Sequence, residues 1–178
     1  MNKIGRSQFL LTAGAVLGLP AIADAGVLVV RPLRVSPDTS KNLAQKIASI
    51  PDLSTLSGLI QGNSTVLSEL QGTGPYTVFA PSNEAFTKLS PATYRRIQSD
   101  MTLQTNLLNY HILSGSYLEQ QLMNGSYATL QGDNVDVRHV QLQVYVNHSR
   151  ITMPDLRATN GVIHVIDKVL TAHLKSFG

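Results

Sequence analysis

The spacing of apolar positions changes part-way along the chain. In the first half they recur every three or four residues: Leu43, Ile47 and Ile50, then Leu53, Leu56, Leu59 and Ile60. That spacing lines one face of a helix. Asp38-Thr39-Ser40 offers the cap for a helix through Ile50, and Pro51-Asp52 starts a second that Gly62 closes. Val66, Leu67 and Leu70 predict a further short turn. Ser90-Pro91 opens another helix, because proline suits the first turn, where its missing N–H costs nothing. A helix over Thr102–Leu108 then points Leu103, Leu107 and Leu108 inward, and Asn109–Leu113 leaves it as a strand.

Beyond Tyr117–Met123, a short helix or turn, the pieces are strand-sized: Tyr127–Leu130, Val135–Val137, Leu142–Val146, Arg150–Ile151 and Val162–Ile166. Turns at Gln131–Asn134, Asn147–Ser149 and Asn160-Gly161 separate them. Leu142, Val144 and Val146 alternate with Gln141, Gln143 and Tyr145, which predicts one dry face. Helices first and hairpins later, with no strand–helix–strand rhythm, predict an α+β fold with a largely antiparallel sheet. A corner joins the two regimes. Tyr76-Thr77-Val78-Phe79 is a short strand, Ala80-Pro81 stops it, and Ser82-Asn83 opens a helix with Glu84 in its first turn.

Composition sets the boundaries. Residues 1–25 have a basic start at Lys3 and Arg6, an apolar stretch from Phe9 to Leu19, and Ala23-Asp24-Ala25, a small-x-small cleavage pattern. They read as a signal peptide cut after Ala25, which predicts a secreted or periplasmic protein. Residues 26–39, broken by Pro32 and Pro37, read as a linker, and 40–175 as one domain. No other stretch approaches the ~20 apolar residues of a membrane span. The chain has no Cys, so once exported it would not depend on an oxidising compartment to fold. The net charge of +3 and the lack of a basic stripe with aromatic platforms exclude the usual nucleic-acid surface.

Three segments carry a family resemblance. Pro75–Phe86 (PYTVFAPSNEAF) resembles the first signature of fasciclin domains, and Asn160–Leu170 (NGVIHVIDKVL) the second. Asn109-Tyr110-His111-Ile112-Leu113 between them matches the family's tyrosine–histidine motif. The resemblance implies a wedge in which a twisted β-sandwich of about seven strands packs beside a layer of helices. Tyr76, Phe79, Pro81, Asn83, Phe86, Gly161, His164 and Asp167 would be structural motif residues. It implies a non-enzymatic binding module, expected as a monomer, for cell adhesion or matrix contact, whose partner is a protein or glycan. An alternative is a carrier of an apolar small molecule, since a few members bind carotenoids.

In animal members the tyrosine–histidine motif is linked to adhesion, which would make Leu107, Leu108, Tyr110, His111, Ile112 and Leu113 binding residues here. A Tyr–His pair among aliphatics is also what a core looks like, with packed rings and hydrogen-bonded polar ends. His164 lies in a strand apolar on both faces, which predicts a buried neutral ring holding one hydrogen bond. His139, His148 and His173 have no partner at helical spacing, so neither metal nor cofactor is expected. No nucleophile elbow or phosphate loop is present, so no reaction can be read. Asn63, Asn124 and Asn147 head formal glycosylation sequons, which are expected to be unmodified.

Overall fold

The computed structural model describes residues 40–171. The leader, the linker and residues 172–175 of the expected domain lie outside them, as does His173. Three helices lead: α1 (Leu43–Ala48), α2 (Ser54–Gln61) and α3 (Ser64–Gln71), with a 3-10 turn over Pro51–Leu53. The corner follows as β1 (Tyr76–Pro81) and α4 (Asn83–Thr87), then α5 (Pro91–Ser99), α6 (Met101–Tyr110) and β2 (Ile112–Ser114). After a 3-10 turn at Glu119–Gln121 come β3 (Gly125–Ala128), β4 (Asn134–Val140), β5 (Gln143–Val146), β6 (Ser149–Ala158) and β7 (Gly161–Ile166).

The seven strands form one sheet in the order β2-β1-β7-β6-β5-β4-β3. Its ends approach each other, since Leu113 bridges to Thr129 and the Leu130 N–H donates to the Ile112 carbonyl. The sheet is therefore nearly a barrel, continuous through β6. Its pairings are antiparallel except one: β1 runs parallel to β7, from Tyr76 beside Gly161 to Pro81 beside Ile166. That pair makes the sheet mixed. The parallel partner lies 80 or more residues away, across the helices and hairpins, so no local strand–helix–strand rhythm announces it.

Two cores result from strand alternation. Val78 and Ala80 on β1, with Ile163 and Val165 on β7, face the helices and meet Leu43, Leu56, Leu70 and Leu107. Phe79 and Ile166 face the other way, into a barrel filled by Tyr110, Leu122, Val137, Val146 and Leu170. Fully burying one such aliphatic or aromatic side chain stabilises the fold by about 1.5–3 kcal/mol.

Local chemistry corrects several expected boundaries. The cap of α1 is Asn42, not the residues before it: its side chain accepts from the Gln45 N–H while Gln45 reaches back to the Asn42 N–H. The residues around Val66 form the full helix α3, capped by Asn63. Asp100 caps α6, which runs on through Tyr110, so the strand starts at Ile112 rather than Asn109. His111 sustains that extra turn, its Nδ1–H donating to the Leu107 carbonyl at 2.7 Å. β6 extends well past Ile151, through Pro154 and a bulge where Asp155 takes φ 60°. Leu142 is 99% exposed at a turn, not on the dry face that Val144 and Val146 share. Ser82 and Ser90 cap α4 and α5 as their sequence predicts.

Candidate functional site

The three motif segments meet. β1 lies between β2 and β7, with Val78 beside Ile112 on one side and Phe79 beside His164 on the other. The Phe79 and His164 rings stand 5.9 Å apart. Gly161 is required there, because a Cβ at that position would fall on the Tyr76 carbonyl oxygen. Asp167 secures the far end: its Oδ1 accepts the Arg150 N–H at 2.8 Å, tying β7 to β6.

Every candidate binding residue of the tyrosine–histidine segment is buried. Leu107, Leu108, Tyr110, His111, Ile112 and Leu113 are each at most 4% exposed. Leu107, Leu108 and Ile112 pack in the helix-side core, while Tyr110 and Leu113 fill the barrel. The Tyr110 hydroxyl donates to the Asn134 carbonyl and accepts from the Asn147 amide. The segment is a pin through both cores, and a partner reaches it only if the fold opens.

Both buried histidines are neutral and doubly bonded. His111 donates from Nδ1 to Leu107, and its Nε2 accepts the Leu170 N–H at 2.9 Å. Burial lowers its pKa to about 4 against the opposing pull of the Leu107 carbonyl. His164 donates from Nε2 to the Tyr117 carbonyl at 2.8 Å, and its Nδ1 accepts the Asp155 N–H at 3.2 Å. It holds two hydrogen bonds where one was expected. Burial pushes its pKa down as well, opposed by the Tyr117 carbonyl and by the Asp155 and Glu119 carboxylates. With both ring nitrogens on main-chain partners, neither imidazole is free to act as a base or bind a metal. Among the described residues no group of three His, Asp or Glu side chains gathers to hold a metal.

The sequons are structural too. Asn63 is 2% exposed and donates to the Thr105 hydroxyl at 2.7 Å. Asn147 bonds Tyr110 and accepts the Asp136 N–H, and Asn124 accepts the His139 N–H.

Two residues within the motif segments carry capping roles that sequence reasoning did not assign them. Asn160 is 6% exposed, and its side chain accepts the Leu43 N–H at 2.8 Å while donating to the Leu70 and Gly72 carbonyls. One amide thus caps the start of α1 and the end of α3. Asn83 accepts the Thr55 N–H and donates to the Pro51 carbonyl, capping α2 from the corner. Its expected role as part of the first turn of its own helix understated it.

Open depressions occur beside the start of β7, around Pro75, Leu118 and Arg157, and on the helical face. A depression of about 500 Å³ is lined by Ser54, Thr55, Gly58, Leu59, Tyr94, Gln98 and Gln104. A second, of about 360 Å³, shares Thr55 and Tyr94 and adds Asn83, Phe86, Thr87, Leu89 and Pro91. Together they make one open groove between α2, α4, α5 and α6, polar at one end and apolar at the other.

Comparison with known proteins agrees with this architecture. The fasciclin domain family model matches residues 51–172. The chain belongs to the fasciclin domain family. It is 29% identical over 168 residues to protein sll1483 of Synechocystis, covering 91% of this chain and 93% of that one. It is 33% identical to the cell surface glycolipoprotein MPB83 of Mycobacterium bovis over 66% of this chain and 52% of that one. Human periostin is 36% identical over 60% of this chain, which spans 13% of periostin's length. Among solved structures, the FAS1 domain pair of the insect cell adhesion molecule fasciclin I superposes with a TM-score of 0.65 over 73% of this chain and 50% of that one. At 19% identity that likeness speaks to the fasciclin fold alone. Among the described residues no helix is long and apolar enough to cross a membrane.

Proposed function

We propose that this fasciclin domain is a non-enzymatic binding module. It works as a monomer outside the cytoplasm, exported by residues 1–25, and makes adhesive contacts at a cell surface or matrix. Its partner, a protein or glycan, is received in the helical-face groove. One observation carries the reading: the buried imidazoles are committed to main-chain bonds inside the fold, while the groove stands open. The cell-surface and cell-adhesion names of the relatives support the setting. Family membership alone does not decide function, so the groove has to be tested directly.

Gly58 supplies the test. It lines the groove, is exposed, and a Cβ built on it meets nothing within 4 Å. Gly58→Arg fills the groove and, by removing a helix-interior glycine, leaves stability unchanged or raises it by up to about 1 kcal/mol. The tagged wild-type chain is expected to retain a surface component from its host, and Gly58→Arg to lose it. Equal retention by both forms rules the groove out.

A carrier reading draws support from the apolar end of the groove, where Phe86, Leu89, Pro91 and Tyr94 line the wall. The barrel interior is filled by side chains, so a carotenoid or lipid would lie in the groove. Organic extracts of chain purified from its host decide it: a pigment or lipid at near one per chain supports the reading, and an empty extract removes it.

A further inference from the structure

The β4–β5 hairpin ends in a feature that neither core explains. Val140 pairs with Gln143, so Gln141-Leu142 form a two-residue turn. Gln141 takes φ 55°, a conformation that favours glycine or asparagine at this position. Leu142 is 99% exposed, so its apolar side chain returns no packing for that strain. Such a local conflict between sequence and structure marks functional sites more often than the rest of a surface. Two further apolar side chains accompany it. Val140 is 53% exposed. Met123, 67% exposed, is held beside the hairpin because His139 bonds both of its neighbours, Leu122 through the ring and Asn124 through the main chain. Single exposed apolar residues are ordinary, but here three lie close to one hairpin end.

The charges behind the tip say what it meets. Arg138 faces Tyr145 across β4–β5, and Tyr145 faces Arg150 across β5–β6, giving a row of arginine, tyrosine and arginine on the outer face of the sheet. From Val137 to Pro154 the sequence contains no Asp or Glu; the carboxylates nearest the row, Asp136 two residues before Arg138 and Asp167 on the Arg150 N–H, lie on the side away from the tip. Tyr145 lies three residues from Leu142, or about 10 Å along a strand. Apolar faces of peripheral membrane elements sink about 5–10 Å into the headgroup–acyl boundary. With Leu142 at that depth, the arginine row stands level with the lipid phosphates, and the tyrosine occupies the interfacial position that aromatic rings favour. A polyanionic glycan would match the arginines and leave the apolar tip without a partner.

We propose that the β4–β5 tip is a docking site for an anionic lipid surface, with Leu142, Val140 and Met123 entering the acyl boundary and Arg138 and Arg150 contacting phosphates. The contact is weak and reversible when single. Each arginine contributes about fivefold in affinity at low salt, and raising the salt weakens it.

The full chain is mixed with vesicles of phosphatidylcholine alone or with 30% phosphatidylglycerol added (roughly the proportion that gives a strong surface potential), and bound protein is read by sedimentation. Binding to the anionic vesicles alone is expected, falling about tenfold or more in Leu142→Asp and about fivefold in Arg138→Gln. Leu142 is solvent-exposed, so Leu142→Asp keeps its fold, which its unfolding midpoint verifies. The chain contains no tryptophan, so Leu142→Trp reports from the tip alone: its emission shifts to the blue on anionic vesicles and stays put on neutral ones. Absent binding overturns the proposal, as does binding that Leu142→Asp leaves unchanged, which would place the contact on the leader or elsewhere. Self-association that Leu142→Asp abolishes, without vesicle binding, would assign the tip to a second copy of this chain and overturn it equally. The groove variant Gly58→Arg binds vesicles normally if the two surfaces are independent, so each idea can fail alone.

Discussion

Asn160→Ala is the sharpest test of how this fold is fastened. The side chain makes three hydrogen bonds: from the Leu43 N–H at 2.8 Å, to the Leu70 carbonyl at 2.9 Å and to the Gly72 carbonyl at 2.6 Å. Leu43 and Leu70 are buried, at 0% and 1% exposure, whereas Gly72 is exposed and its carbonyl can turn to water. Truncation therefore strands two buried polar groups, each costing about 1–3 kcal/mol. The expected loss is about 3 kcal/mol or more, which moves a urea midpoint down by roughly 1.5–2 M at a slope of about 1.5–2 kcal/mol/M. Asn160→Asp discriminates mechanism from bulk. It has the same shape and keeps the acceptor for Leu43, but it points a carboxylate at two carbonyls. Burial and those dipoles raise its pKa above the ordinary value, so the neutral acid is the form the fold prefers. At neutral pH Asn160→Asp should be at least as unstable as Asn160→Ala, and its deficit relative to wild type should shrink as pH falls through the raised pKa. A loss under about 1 kcal/mol in Asn160→Ala, or an Asp deficit that does not change with pH, would refute the claim that this amide caps two helices.

Two further predictions use other parts of the same junction. His111 takes up a proton in the unfolded chain below about 6.5 and in the folded one only near 4. Stability should therefore fall by about 3 kcal/mol as pH drops from 6.5 to 4, and be flat above. His164, also lowered, acts in the same direction. Unfolding midpoints across that range should slope less steeply in His111→Gln than in wild type, and parallel slopes would contradict the assignment. Gly161→Ala places its Cβ on the Tyr76 carbonyl, in rigid main chain. Calorimetry should show destabilisation of roughly 3 kcal/mol, the upper end for overpacking, and an unchanged melting temperature would mean that β1 and β7 are not in this register.

How much was legible depends on where the partner of each residue sits. Ser82 and Ser90 cap helices through amides three residues on, so the sequence displays them. The pattern predicts the strand after β5 over Arg150–Ile151 alone, whereas β6 continues past Pro154, which a proline in a strand allows at a bulge. α6 runs past its predicted end at Leu108 because the donor that extends it is a histidine side chain, which no propensity scale includes. In the sequence Asn160 shows only its turn chemistry, for its hydrogen-bond partners lie 88 to 117 positions away. The groove was invisible for the same reason: α2, α4, α5 and α6 each supply part of the wall, and only folding juxtaposes them.

That division bears on what family membership can say about function. The three segments that make the family recognisable are strands and helix ends that cross both cores, and their histidines and tyrosine hold main chain inside the molecule. Their residue types are demanded by burial, which any partner would leave unchanged. Of the groove lining only Asn83 and Phe86 belong to those segments, and none of the tip residues does. These three segments thus specify a scaffold, and the surfaces open to a partner are written mostly in residues outside them. A Tyr110→Ala chain that ceases to adhere would lose roughly 3–5 kcal/mol of core packing at the same time, so the loss would not place Tyr110 in a contact. Gly58→Arg and Leu142→Asp alter surface without touching either core, and they separate binding from folding where a substitution in the motif confounds the two.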